Sequence, residues 1–370
     1  MNKTASFLIG IFVCINAQLV QAELYSSNGY RPRIPIEIRH LPLIGREDTV
    51  VDFLSFDIND TINKGLIFSD ASFYVYSTFD NYGFLIASVF SIEGGQGDGT
   101  NSKVVNHESG NIIIGLWTDM YSNESIFENA GKVSYVNLGG DNYVPNHVPD
   151  AFLLLRGVIK NTGTFLVDRK ANENVCHQAG NASVNIINDG LFEIGKGTIC
   201  TFMSDSTHGI VEFVQNSGTL KVDGEFSASS IAIHKGVITG NGAITGFAAY
   251  ALNDKTLITP GGVSIGSLSL SPNDNGFIFC DLCSIDIDIA GIEATKIDHL
   301  AIVDDNFYAL RLNLNVHLRD GFIPQQGDSF NIISANTIYS AQIYPNLPEL
   351  PGGLNWDVQN NGTNIILTVY

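Results

Sequence analysis

The sequence predicts an all-β protein: a parallel β-helix followed by a C-terminal antiparallel β-sandwich. Three observations carry this. The first is composition. In 370 residues, charged side chains make up 15% and apolar ones 44%, with 37 Gly, against roughly 25% charged in an average soluble domain. Low charge with abundant Gly, Asn, Ile, Val and Phe reads as strands rather than helices. The second is an Asn-x-Gly motif that recurs along the middle of the chain. The third is a change of pattern near residue 272, where strict alternation of apolar and polar residues takes over. The same composition excludes other classes. The chain is too apolar and aromatic to be disordered. Its 38 acids against 19 Lys plus Arg give a net charge of −19, the wrong sign for a nucleic-acid groove.

The opening MNKTASFLIGIFVCINAQLVQA has one Lys, an apolar run from Phe7 to Ile15, and Val20-Gln21-Ala22 at its end. That order is a secretory signal, with cleavage after Ala22. The apolar run is too short to span a membrane, so the mature chain is expected outside the cell or at its wall, with no membrane span. Residues 23–65 are irregular, with Arg31-Pro-Arg33, Pro35 and Pro42, and read as an N-terminal cap over the open end of the solenoid.

The β-helix is placed at 66–272. Three copies of its motif align without gaps: VIKNTGTFLV from Val158, IINDGLFEI from Ile186 and FVQNSGTLKV from Phe213. The alignment stacks Asn161, Asn188 and Asn216, and stacks Gly163, Gly190 and Gly218. It also puts Phe165, Phe192 and Leu220 on one face. Looser copies carry Asn81 with Gly83, Gly110, Asn129 with Gly131, and Gly236. A period between 20 and 30 residues without helical periodicity marks an all-β solenoid. Glycine is expected to supply positive-φ corners, and stacked Asn side chains to bond from rung to rung. A series of hairpins folding into a sandwich is the rival reading of the same turns. The loops at 95–102 and 141–150 interrupt the repeat and are expected to carry binding.

The sandwich is placed at 273–370. SIDIDIAG from Ser284 and LRLNLNVHL from Leu310 alternate strictly, as strands with one polar face do.

After the signal, four cysteines remain: Cys176, Cys200, Cys280 and Cys283. An even count in an exported chain argues for disulfides. Cys176 and Cys200 lie about one rung apart, and Cys280 and Cys283 are neighbours, so these are the expected pairs. The C-x-x-C also fits half a zinc site or a redox pair, with His177 the only His beside a Cys. Four N-glycosylation sequons start at Asn59, Asn123, Asn181 and Asn361; they matter where the host glycosylates asparagine.

The run from Gly236 to Leu270, followed by IDIAG, DHLAI, LNLNV and GFIPQQGDSFNIISA, resembles the end of extracellular β-helix passengers. Together with the signal, the Asn-x-Gly rungs and Cys280-Asp-Leu-Cys283, it is most similar to the N-terminal domain of yeast hyphally regulated cell-wall proteins and related adhesin-like wall proteins. Bacterial autotransporter passengers share much of the Gly-Asn-Gly and Pro-Gly pattern. The resemblance implies a right-handed β-helix at a fungal cell wall, with an adhesive role and a host-cell, surface or wall polysaccharide as ligand. It also implies a Ser/Thr-rich stalk and a lipid-anchor signal beyond this domain; the sequence ends at Tyr370.

No H-E-x-x-H or P-loop occurs, and no catalytic residue, metal or cofactor is expected. The alternative is a carbohydrate-active β-helix enzyme, a polysaccharide lyase or glycoside hydrolase, which needs carboxylates at a set separation. Its candidates are Asp286 with Asp288, Asp304 with Asp305, Asp168 with Arg169 and Lys170, and Glu193 beside Lys221. Trp117 is a candidate sugar-stacking residue, with core packing as the competing role.

Overall fold

Each repeat alternates apolar and polar residues, so each strand has one face to bury. A single strand pair cannot bury that face alone; stacking on the next rung does. The computed structural model describes residues 43–44, 49–52, 56–58, 60–92, 101–120, 125–136, 153–155, 157–168, 175–178, 184–202, 210–247, 252–272 and 277–370. Among these, the strands form two sheets of sixteen strands each, and the chain crosses repeatedly from one to the other. The only helical elements among them are two single 3-10 turns, at Ala294–Lys296 and Pro351–Gly353. None of the described helices is long and apolar enough to cross a membrane.

The repeat motif pairs as the alignment predicts, with one slip. Gly157–Asn161 pairs in parallel with Val184–Asn188, which pairs in parallel with Val211–Gln215. On the other sheet, Phe165, Phe192 and Leu220 are register partners and all are buried. The slip is at Asn216. The partner of Asn188 is Gln215, and Asn216 is exposed. The third copy has one residue more between ladder and glycine, and Gly218 absorbs it at φ +75°. The other two glycines work differently from expectation. Gly163 and Gly190 do not have positive φ. A Cβ on Gly190 would sit 2.1 Å from the Gly163 carbonyl oxygen, so the requirement there is close approach of two backbones.

The core is one continuous column of apolar side chains from Ile67 to Val369. Its axis is a phenylalanine stack: Phe73 on Phe90, Phe90 on Phe127, Phe127 on Phe165, and Phe165 on Phe192. The Phe165 and Phe192 rings lie 5.3 Å apart and within 7° of parallel.

Both ends differ from the sequence reading. Residues 1–22, the expected signal, lie outside the described residues, as does the cap up to residue 42. Within the rest of the expected cap, parallel pairing is already under way, Leu43 with Ile62 and Thr49 with Leu66. At the other end, the expected antiparallel sandwich is not what the strands form. Ile278–Ile289, Asn306–Leu318 and Thr337–Asn346 add to the solenoid in parallel. His299–Ile302 and Ser329–Ser334 do the same on the opposite sheet. Among the described residues, antiparallel pairing between strands is confined to the last ones, Asn364–Val369 against Ser329–Ser334 and Trp356–Asn360 against Asn364–Val369, beside one isolated antiparallel bridge, Ile289 to Ile297. That hairpin, with Leu347, Leu350, Leu354 and Trp356 packed on the core, closes the end of the column.

Candidate functional site

Two amide ladders run along the molecule, one inside and one outside. The inner ladder bonds Asn63 to Asn81, Asn106, Asn129, Asn161, Asn188 and Gln215 in turn, each amide nitrogen donating to the next carbonyl oxygen at 2.7–3.3 Å. All seven are buried. Sequence reading missed Asn63, Asn106 and Gln215. Asn106 is separated from Gly110 by three residues instead of one, which hides the motif.

Both expected disulfides are formed. Cys176 joins Cys200 with Cα atoms 4.6 Å apart, and Cys280 joins Cys283. A strand normally points residues three apart to opposite faces. Here Leu282 adopts φ +65° and the register shifts around it, so both cysteines face the core with no exposure. The bridge ties up the thiolates that a zinc site would need. Among the described residues no cluster of three or more His, Cys, Asp or Glu could hold a metal.

The candidate acids are placed as follows. Glu193 accepts from Lys221 at 2.7 Å, and Asp223 lies 3.2 Å from the same ammonium; the hydrogen bond to Glu193 raises the Lys221 pKa. Asp286 accepts from Asn315 at 2.7 Å. Asp288 pairs with Arg319 at 2.7 Å. Asp304 has φ +61°, and Asp305 accepts from the Asn306 backbone at 2.7 Å. Asp168 is exposed at the end of its strand; Arg169 and Lys170 lie outside the described residues.

One acid that sequence reading passed over is Asp298. It is almost fully buried. Its two oxygens accept backbone N–H groups from Gly266 at 2.7 Å and Asp288 at 2.9 Å, tying one corner turn to the next rung. Burial pushes its pKa up to about 7 against those two hydrogen bonds. Beside this corner, Lys196, Asp223, Asn241, Ser264 and Ile265 line a shallow open cleft.

The loops 95–102 and 141–150 fall outside the described residues, apart from 101 and 102. So do Asn59, Asn123, Asn181 and the side chains of Trp117 and His177. Asn361 is exposed, and its Oδ1 accepts from Thr363 and Asn364.

The outer face of the last three parallel strands is the most distinctive surface. Among the described residues, Phe277 at 37% exposure, Leu310 at 45%, Tyr339 at 51% and Tyr344 at 41% lie on or beside these neighbouring strands. Isolated exposed apolar residues are ordinary, but a cluster points to an interaction surface. The Phe277 ring meets Tyr308 edge-on at 5.0 Å. Tyr308 stacks on Tyr339 at 4.6 Å, 13° from parallel. Polar groups frame this row. Asp281 grips Arg311 through two 2.6 Å bonds, and that guanidinium holds the Asp281 carboxyl below its usual pKa. The outer ladder follows: Asn346 donates to Asn315 at 3.2 Å, and Asn315 to Asp286.

No protein-family model matches the sequence, and no curated protein matches it.

Proposed function

We propose that this chain is a non-enzymatic attachment protein of the cell surface or wall, a right-handed β-helix that is secreted and displays its binding groups on the solenoid flank. The observation that carries this reading is the row of solvent-exposed aromatic rings on a sheet braced from beneath. Such a face gives a ligand rigid contact area at little entropic cost. Two features support it. The disulfides Cys176–Cys200 and Cys280–Cys283 suit an oxidising compartment. Three of the candidate acids, Glu193, Asp288 and Asp286, are engaged instead in pairs with Lys221, Arg319 and Asn315.

The test is an attachment assay on the full chain. Beads coated with the oxidised protein are expected to adhere to cells or isolated walls, and reduction of the expressed protein's compartment should lower its yield. Protein retained inside the cell with free thiols would sink the exported assignment. Release of new reducing ends from wall polysaccharide by the purified chain would replace the attachment reading with the enzyme one.

A further inference from the structure

Resting on the attachment reading, we propose that the outer face of the last three parallel strands binds a neutral glycan chain, with a sugar ring stacked on the free face of Tyr339 and a second contact at Tyr344. Tyr308 covers one face of the Tyr339 ring. Thr337–Asn346 is the terminal strand of its sheet among the described residues, so the stack stops there. Tyr339 remains half exposed, an aromatic face with its opposite side already braced. The apolar side of a sugar ring fits such a face, and its hydroxyls need hydrogen-bonding partners alongside. Gln342, Tyr344 and Asn346 are exposed on the same strand.

Charge selects the ligand class. The protein carries −19, which repels polyanions. The cation within the face, Arg311, is already neutralised by its bidentate pair with Asp281. A neutral polymer meets no such penalty. The edge itself disfavours a peptide adding as another strand. Pro345 lies on it and has no N–H to donate. At Ile338 the edge is already taken: its N–H donates to the Gly362 carbonyl at 2.7 Å and its carbonyl accepts from Asn360 at 3.3 Å, which removes edge groups that strand addition needs.

The experiment is affinity electrophoresis of the full oxidised chain through gels containing laminarin or soluble mannan, both neutral, or alginate, a polyanion. Retardation by a neutral glycan and not by alginate is expected. Tyr339→Ala should weaken it about tenfold, the scale of one aromatic contact. Tyr344→Ala should weaken it less, and Tyr339→Phe should keep it. Tyr82→Ala, at an exposed ring far away, should match the unmodified protein. No retardation by either neutral glycan, stronger retardation by alginate, or unchanged binding in both Tyr339→Ala and Tyr344→Ala would overturn the inference. The bead assay separates the two readings. Beads that adhere equally with both alanine variants remove this site and leave attachment standing; glycan binding without bead adhesion does the reverse.

Discussion

The inner ladder of the middle rungs and the outer ladder of the last rungs use similar side-chain bonds, one on the buried side of one sheet and the other on the outer side of the second sheet. Asn161 and Asn315 both donate to a rung neighbour, at 2.8 and 2.7 Å. Phenylalanines stack inside the middle rungs, and tyrosines stack outside the last ones. The difference lies in water. An amide inside has only its rung neighbours as partners, so each bond is needed. An amide outside exchanges its neighbour for solvent at little cost. The inner ladder is therefore a fold determinant, and the outer face is free to serve as a surface.

Substituting the two asparagines gives the sharpest separation. Asn161→Leu orphans the Asn129 donor, the Asn188 oxygen and the Leu191 carbonyl, and is expected to cost about 5 kcal/mol. Asn315→Leu is expected to stay within about 1 kcal/mol. Urea melts of both variants check this, and equal losses would erase the distinction.

Titration separates the regions next. Asp298 has its ordinary value near 3.8 when unfolded and about 7 when folded. Between these values the folded chain holds a proton that the unfolded chain has lost. Stability from this group therefore falls as pH rises from about 4 to about 7, by up to about 4 kcal/mol, and is flat above that. Glu128 in the middle rungs goes the other way. Lys103 and Lys160 hold its pKa below 4.5, so its contribution is present above that value and lost in acid. Melting temperatures across pH 3–8 should show both slopes, and Asp298→Asn should remove only the neutral-side one.

The disulfides give a smaller contrast. Opening Cys176–Cys200, which closes a loop of 24 residues, is expected to cost about 3 kcal/mol. Opening Cys280–Cys283, which closes only three, should cost about 2 kcal/mol. Melts of the two double-alanine variants test the order. The smallest effect is that of Tyr339→Ala on stability, expected within about 0.5 kcal/mol; a larger loss would make the tyrosine stack structural.

Much of the middle of the molecule was legible in the sequence. The inward faces of Phe165, Phe192 and Leu220, the Asn161–Asn188 contact and both cysteine pairs follow from local alternation and from spacing near one rung. These are short-range facts that any pair of adjacent rungs must obey. Asn216 was misread because a gapless alignment cannot see a turn lengthened by one residue, and such a slip changes which side chain faces inward. The last hundred residues were misread for a different reason. SIDIDI and LNLNV alternate because one face of each strand meets water, and that holds equally in a sandwich and on a solenoid flank. Composition and periodicity alone determined that this chain is all-β, that its middle is a stack of similar rungs, and which cysteines lie within reach. Partner choice at long range was left to the tertiary structure: parallel stacking through Asn346, Gln215 in the ladder, Asp298 in its corner, and three aromatic rings from distant segments aligned on one face. Those depend on which strand lies beside which, and a pattern of period two is blind to its neighbour.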